Sequence, residues 1–160
     1  MQVEAEISIA RPRAEVFEYL ARSEHLPDYA TDFVWVKQTS HGEPMLGTEY
    51  RYRMKRGTEG TFARTEFEPH TRLAWHGPSA KAGPGSMEPA GRWELSDAPE
   101  GTNVKLVMAP HPHGLLKLLA PMISRGIRRD LPVALERLKQ TLEQPVVRSP
   151  ASQPRDRRGA

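Results

Sequence analysis

The stretch from Leu115 to Glu143 constrains this chain more than any other. Leu115, Leu119, Ile123, Ile127, Leu131, Leu135, Leu138 and Leu142 recur at steps of three or four residues. That spacing puts them on one face of an α-helix. Arg128, Arg129, Glu136, Arg137, Lys139 and Gln140 fall mostly on the other face, as expected for a helix with one side in water. It is the longest periodic segment, so the rest of the chain must cover its apolar stripe. Pro121 suits a first helical turn, where no N–H partner is needed. Pro132 lies deeper and removes one hydrogen bond, which predicts a bend near residues 128–131, or else two shorter helices joined by a turn.

What precedes the helix is strand-rich. Val3, Ala5, Ile7 and Ile9 alternate with Glu4, Glu6 and Ser8, the period of a half-buried strand. Pro12 then opens a helix reaching about Arg22, with Val16, Phe17 and Leu20 inward, and Ser23 is placed to cap a second short turn. Apolar or alternating runs follow at 33–38, 48–55, 59–68, 71–76, 88–96 and up to Met108, separated by turn residues. Residues 77–87 (GPSAKAGPGSM) read as a flexible loop, and Pro110–Gly114 as a turn. Six strands in series form an antiparallel meander, and the first strand joins its edge. The predicted class is α+β, a curved seven-stranded antiparallel sheet wrapped around a long C-terminal helix, in the order β-α-α-β-β-β-β-β-β-α.

Length and composition fit one domain with a real core over 1–143. Hydrophobic content of 38% and charged content of 27% are those of a soluble globular protein. No cysteine is present, which excludes disulfides and thiolate chemistry. The N-terminus lacks a signal-peptide pattern, no apolar run has membrane-spanning length, and a cytoplasmic location is the default expectation. The net charge of +3 resides in residues 144–160, where Arg148, Arg155, Arg157 and Arg158 outweigh Asp156. The 23 basic residues less those four, and the 20 acidic less that one, leave the body with 19 of each. A neutral body argues against nucleic acid as partner. Rich in Pro, Ser and Arg, residues 144–160 read as a disordered basic tail.

The order of elements, with the segments Ala10–Phe17, Gly47–Tyr50, Thr65–Trp75, Gly91–Leu95, Gly101–Val104 and Leu135–Leu142, resembles the START-like (SRPBCC, helix-grip) superfamily, in particular its polyketide cyclase/dehydrase-like branch. The resemblance covers residues 2–143. It implies a cavity between sheet and long helix, and a range of functions from lipid and sterol carriage to aromatase/cyclase activity.

Within such a cavity the predicted ligand-binding residues are Tyr52, Met54, Phe67, Leu73, Trp75, Trp93, Met108, Met122 and Ile123. Meander topology gathers alternate turns at one end, so Gly57, Gly83, His111 and His113 are expected at the entrance. Arg64, Tyr50, Arg92 and His76 are the candidate catalytic groups, since cationic and phenolic donors stabilise enolate charge and a histidine can act as base. Strand parity decides whether they face inward, and a one-residue slip exchanges Tyr50 and Tyr52 for Arg51 and Arg53. His111 and His113 flank Pro112 without a zinc-binding spacing, so neither a metal nor another cofactor is expected. Three functions remain open: binding a small hydrophobic or aromatic molecule such as a lipid or polyketide, a cofactor-free cyclase or dehydrase, and an interaction module filled by its own side chains. The expected state is a monomer or homodimer.

Overall fold

A computed structural model describes residues 1–144; the tail expected beyond Glu143 lies, from residue 145, outside the described residues. Strand β1 (Val3–Ile9) leads into helix α1 (Arg13–Ala21), a 3-10 turn at Ser23–His25 and the short helix α2 (Leu26–Tyr29). Strands β2 (Phe33–Gln38), β3 (Glu49–Met54), β4 (Glu59–Glu68) and β5 (Arg72–His76) follow, then the short β6 (Ala80–Ala82) and β7 (Gly85–Glu88). The chain continues through β8 (Ala90–Ala98), β9 (Gly101–Met108) and β10 (His111–Gly114), and a 3-10 turn at Leu115–Leu119 enters α3 (Ala120–Glu143).

The main sheet has seven strands in the order β1-β9-β8-β5-β4-β3-β2. Every pairing is antiparallel, with β1 pairing along β9 from Val3 opposite Met108 to Ile9 opposite Thr102. The curled sheet and long C-terminal helix are thus the α+β arrangement expected from the sequence. One expectation needs correcting. Residues 77–87 are not a flexible loop: β6 and β7 form a hairpin turning at Gly83, and β10 joins it as a second, three-stranded sheet. The expected turn at 110–114 is therefore largely strand. Gly83 has φ +54 and Gly114 φ +66, left-handed values that glycine adopts at no steric cost.

Helix α3 runs unbroken through Pro132. Its Leu131, Leu135 and Leu138 are buried with Leu73, Trp93, Leu95, Val104 and Leu106 of the sheet and Val16, Phe17 and Leu20 of α1. Further along, a polar clasp holds the end of the helix to the end of β1. Lys139 Nζ donates to Ser8 O at 2.9 Å and to Glu143 Oε1 at 2.6 Å, and Ala10 N donates to that same oxygen at 2.7 Å. The Glu143 carboxyl is held below the usual carboxylate range by these bonds, chiefly the one from Lys139.

The phase of the predicted stripe fails upstream of Ala120. A 3-10 turn has about three residues per turn rather than 3.6. In consequence Leu116 is the buried residue there, while Leu115 and Leu119 face out.

Candidate functional site

Two β-bulges decide which side chains face the hollow side of the sheet. Between Phe33 and Trp35 the register against β3 shifts, so Phe33 and Val36 share the inner face. A second shift between Arg64 and Glu66 puts Phe62, Arg64 and Phe67 on that face as well. On β3 the parity is settled: Tyr50 and Tyr52 are buried and Met54 half-buried, whereas Arg51 and Arg53 are exposed.

The inner face carries two apolar clusters. One lies under the back half of α3, around Trp93, Leu73 and Tyr29. The other comprises Val36, Tyr50, Tyr52 and Phe62, with Tyr50 and Phe62 stacked at 5.2 Å between centroids. The apolar side chains packed against both are half-buried. Trp75 and Leu26 pack against both clusters, Phe33 and Met54 border the second, and Met108 and Ile127 border the first. Ile123 is half-buried on the front half of the helix. At this seam the expected ligand-binding residues Met54, Trp75 and Met108 are half-buried, whereas Phe67 is half-buried against Phe17 of α1, with ring centroids 5.3 Å apart. Tyr52, Leu73 and Trp93 are buried core. Met122 does not join them: it is 67% exposed and faces away from the sheet. In the centre of the seam the indole of Trp75 lies directly over Gly91, occupying the space where a Cβ would stand.

Beneath the seam sits Arg64, 3% exposed. Its Nη2 donates to Leu20 O at 3.0 Å, Ala21 O at 3.3 Å and Ser23 Oγ at 2.6 Å. The guanidinium also lies 5.6 Å from the centroid of the Tyr50 ring, and Tyr50 OH donates to Ala21 O at 3.0 Å. The carbonyls are those of the last turn of α1, which carry partial negative charge and lack helical partners. A cation here therefore caps the helix; Ser23, expected to cap the next turn, serves Arg64 instead. Burial pushes the Arg64 pKa down, opposed by Tyr50 and Tyr29, and burial pushes the Tyr50 and Tyr29 phenols up. Arg64 Nε is buried without a hydrogen-bond partner among the described residues.

The other two catalytic candidates face outward. Arg92 joins a ladder of charges on the convex face, with Nε 3.1 Å from Glu94 Oε1. His76 Nε2 binds Glu88 Oε1, while His113 Nε2 lies 3.1 Å from Glu88 Oε2. Glu88 thus bridges the main sheet to β10, and its carboxyl is held below the usual range by His113 first and His76 second. The sequence offered no signal for the role of Glu88: its pattern makes Glu88 the first residue of a strand over 88–96, whereas it ends β7 and β8 starts at Ala90. Tyr29 and Leu26, also missed, follow helical spacing in LPDYA. Of the expected entrance residues, Gly57 lies between β3 and β4, Gly83 turns the β6–β7 hairpin, and His111 and His113 lie on β10 opposite Glu88 and Ser86. Thr58 Oγ1, next to Gly57, donates to Lys81 O at 3.2 Å, and Gly85 packs against His113 and Leu116. Among the described residues no group of three His, Cys, Asp or Glu side chains is placed to hold a metal ion.

Two shallow, open depressions mark the surface of the described residues, and neither is the seam. One of 370 Å³ lies on the outer side of α3 at Pro132, Val133 and Glu136. The other, of 340 Å³, lies beside α1 at Phe17, Phe67 and His70.

With this geometry in view, a family model described as polyketide cyclase / dehydrase and lipid transport matches residues 1–143. The chain belongs to that family. Solved structures agree on the fold of this polyketide cyclase / dehydrase and lipid transport family member. A START superfamily protein from Mycobacterium smegmatis superposes with a TM-score of 0.72 at 10% identity, covering 89% of this chain and 97% of that one. A protein from Thermus thermophilus gives 0.66 at 18% identity, over 90% and 100%. The di-domain ARO/CYC BexL from the BE-7585A biosynthetic pathway gives 0.68 at 21%, covering 89% of this chain but 46% of BexL. A comparison with proteins of curated function returned no match. No helix among the described residues of this family member is long and apolar enough to cross a membrane.

Proposed function

We propose that this chain binds a small hydrophobic or aromatic molecule, such as a lipid or polyketide, at the seam between the two apolar clusters under the front half of α3. The observation that carries this reading is the pair of separate buried clusters with half-buried Trp75 and Leu26 packed against both, and half-buried Met54 and Met108 each bordering one of them. A folded domain with nothing to bind gains by burying such groups fully, at about 25 cal/mol per Å². A guest supplies that burial instead. The unbranched methionines repack around varied shapes, and Gly91 leaves the Trp75 ring room to serve as a flat platform. Since the seam is occupied by the protein's own side chains, a guest enters by displacing them near the β6–β7 hairpin.

One observation favours a second reading, a cyclase or dehydrase acting at the same place: the unpartnered Nε of Arg64 is the kind of donor that polarises a carbonyl. Against it, Arg64 Nη2 and Tyr50 OH are committed to the end of α1, and Arg92 and His76 face outward. Binding is the better-supported function. Native mass spectrometry of protein purified from its own host tests it, with a co-purifying small molecule expected. Absence of any adduct, with no thermal shift across a panel of lipids and aromatic polyketides, overturns both readings. Loss of the adduct in Trp75→Ala, with the fold retained, places the guest at the seam.

A further inference from the structure

Half of the most exposed large apolar side chains among the described residues fall in one short stretch. Leu115 is 61%, Leu118 78% and Met122 67% exposed, with Leu119 beside them. The stretch is not loosely held. Leu116 is buried and packs beneath Gly85 of the hairpin, so the turn is pinned with its remaining leucines outward. Contiguous exposed apolar groups are uncommon on a domain that has no use for them. Lys117, Arg125 and Arg128 stand exposed around them, and residues 101–129 contain no Asp or Glu. The first acid after them, Asp130, is paired with Arg129 at 3.2 Å. On a body whose charges sum to zero with these cations counted, this is a segregated cationic edge.

We infer that this knuckle docks the protein onto an anionic lipid surface, with Leu118 and Met122 entering the acyl boundary and Lys117, Arg125 and Arg128 at the headgroups. The apolar groups stand exposed, line neither of the two surface depressions, and include no Trp or Tyr. Protein interfaces concentrate their energy in aromatic anchors, and leucine is under-represented among them. Aliphatic tips ringed by long cationic side chains are instead the composition of interfacial helices. No described helix spans a bilayer, so the attachment is peripheral. The inference goes beyond the proposed binding function and stands whether or not the seam takes a guest.

The test is flotation of the full chain with vesicles of equal parts phosphatidylcholine and phosphatidylglycerol, against phosphatidylcholine alone. Wild type floats with the anionic vesicles at low salt. Arg125→Gln and Arg128→Gln each lower the partition coefficient roughly fivefold, and the double variant L118S/M122S lowers it about tenfold or more. Because the chain has no cysteine, Leu118→Cys accepts a single environment-sensitive fluorophore. Its emission shifts to the blue on anionic vesicles, whereas the same label at Glu100→Cys, in the β8–β9 turn at the opposite end, does not shift. Three results overturn the inference: no flotation, flotation unchanged in L118S/M122S (binding then lies in the arginines of residues 145–160), or retention only by an acidic protein.

Discussion

At residue scale the decisive group is Arg64. A buried guanidinium is costly unless its charge is met, and here the end of a helix meets it. Three acceptors from α1 and the following turn converge on one nitrogen, so the residue joins the sheet to the helix that lies across it. Arg64→Ala removes that link and takes a donor from Leu20 O and Ser23 Oγ, while Ala21 O keeps Tyr50 OH. The expected loss is roughly 2–4 kcal/mol, read by urea denaturation. Arg64→Lys recovers only part of it, because an ammonium on a different stem does not reproduce the planar fork. Gly91 is a second point where one atom matters. A side chain there meets the Trp75 ring, so Gly91→Val shifts indole emission and weakens binding of whatever guest native mass spectrometry identifies, with little change if the ring is not part of the site.

At the scale of elements, α3 divides its labour. Its back half is anchored by Leu131, Leu135 and Leu138 and by the Lys139–Glu143 clasp, so Leu138→Ala costs about 2–5 kcal/mol, measurable by the same denaturation. The hairpin is held differently: β6, β7 and β10 share no ladder with the main sheet, and Glu88 ties them to His76 on β5. A carboxyl with a depressed folded pKa contributes stability above its unfolded value, about 4.3 for glutamate. That contribution is lost as pH falls through the folded value. Amide exchange, corrected for its intrinsic pH dependence, therefore speeds up at residues 80–88 and 111–114 on acidification. Glu88→Gln shows the same several-fold acceleration already at neutral pH. Equal exchange in the variant and wild type would remove Glu88 as the tie.

Over the whole molecule, the fold was legible because period is a strong signal in long segments. The stripe at Leu131, Leu135 and Leu138 and the alternation of Val3–Ile9 each dictated a buried face. The site was less legible. Two bulges shift strand parity, and pattern alone does not locate an inserted residue. Strands of three or four residues, such as Ala80–Ala82, are too short to show a period, so a hairpin looked like a loop. The turn before α3 changes pitch, which moved Leu115 off the expected stripe, and Met122 just after it became surface rather than lining. A guest at about 100 times its Kd stabilises the whole chain by about 2.7 kcal/mol, which raises Tm by roughly 5–10 °C. Calorimetry with the ligand recovered from the host checks this.

Pro132 deepens the division within the long helix. It has no N–H to offer, so the carbonyl of Arg128, one turn back, goes without its usual donor. The rod is continuous in path yet cut in its bonding ladder at the boundary between its anchored and unanchored parts. Room for a bulky guest can thus come from swinging the front turns about that notch, while the deep leucines stay where they are.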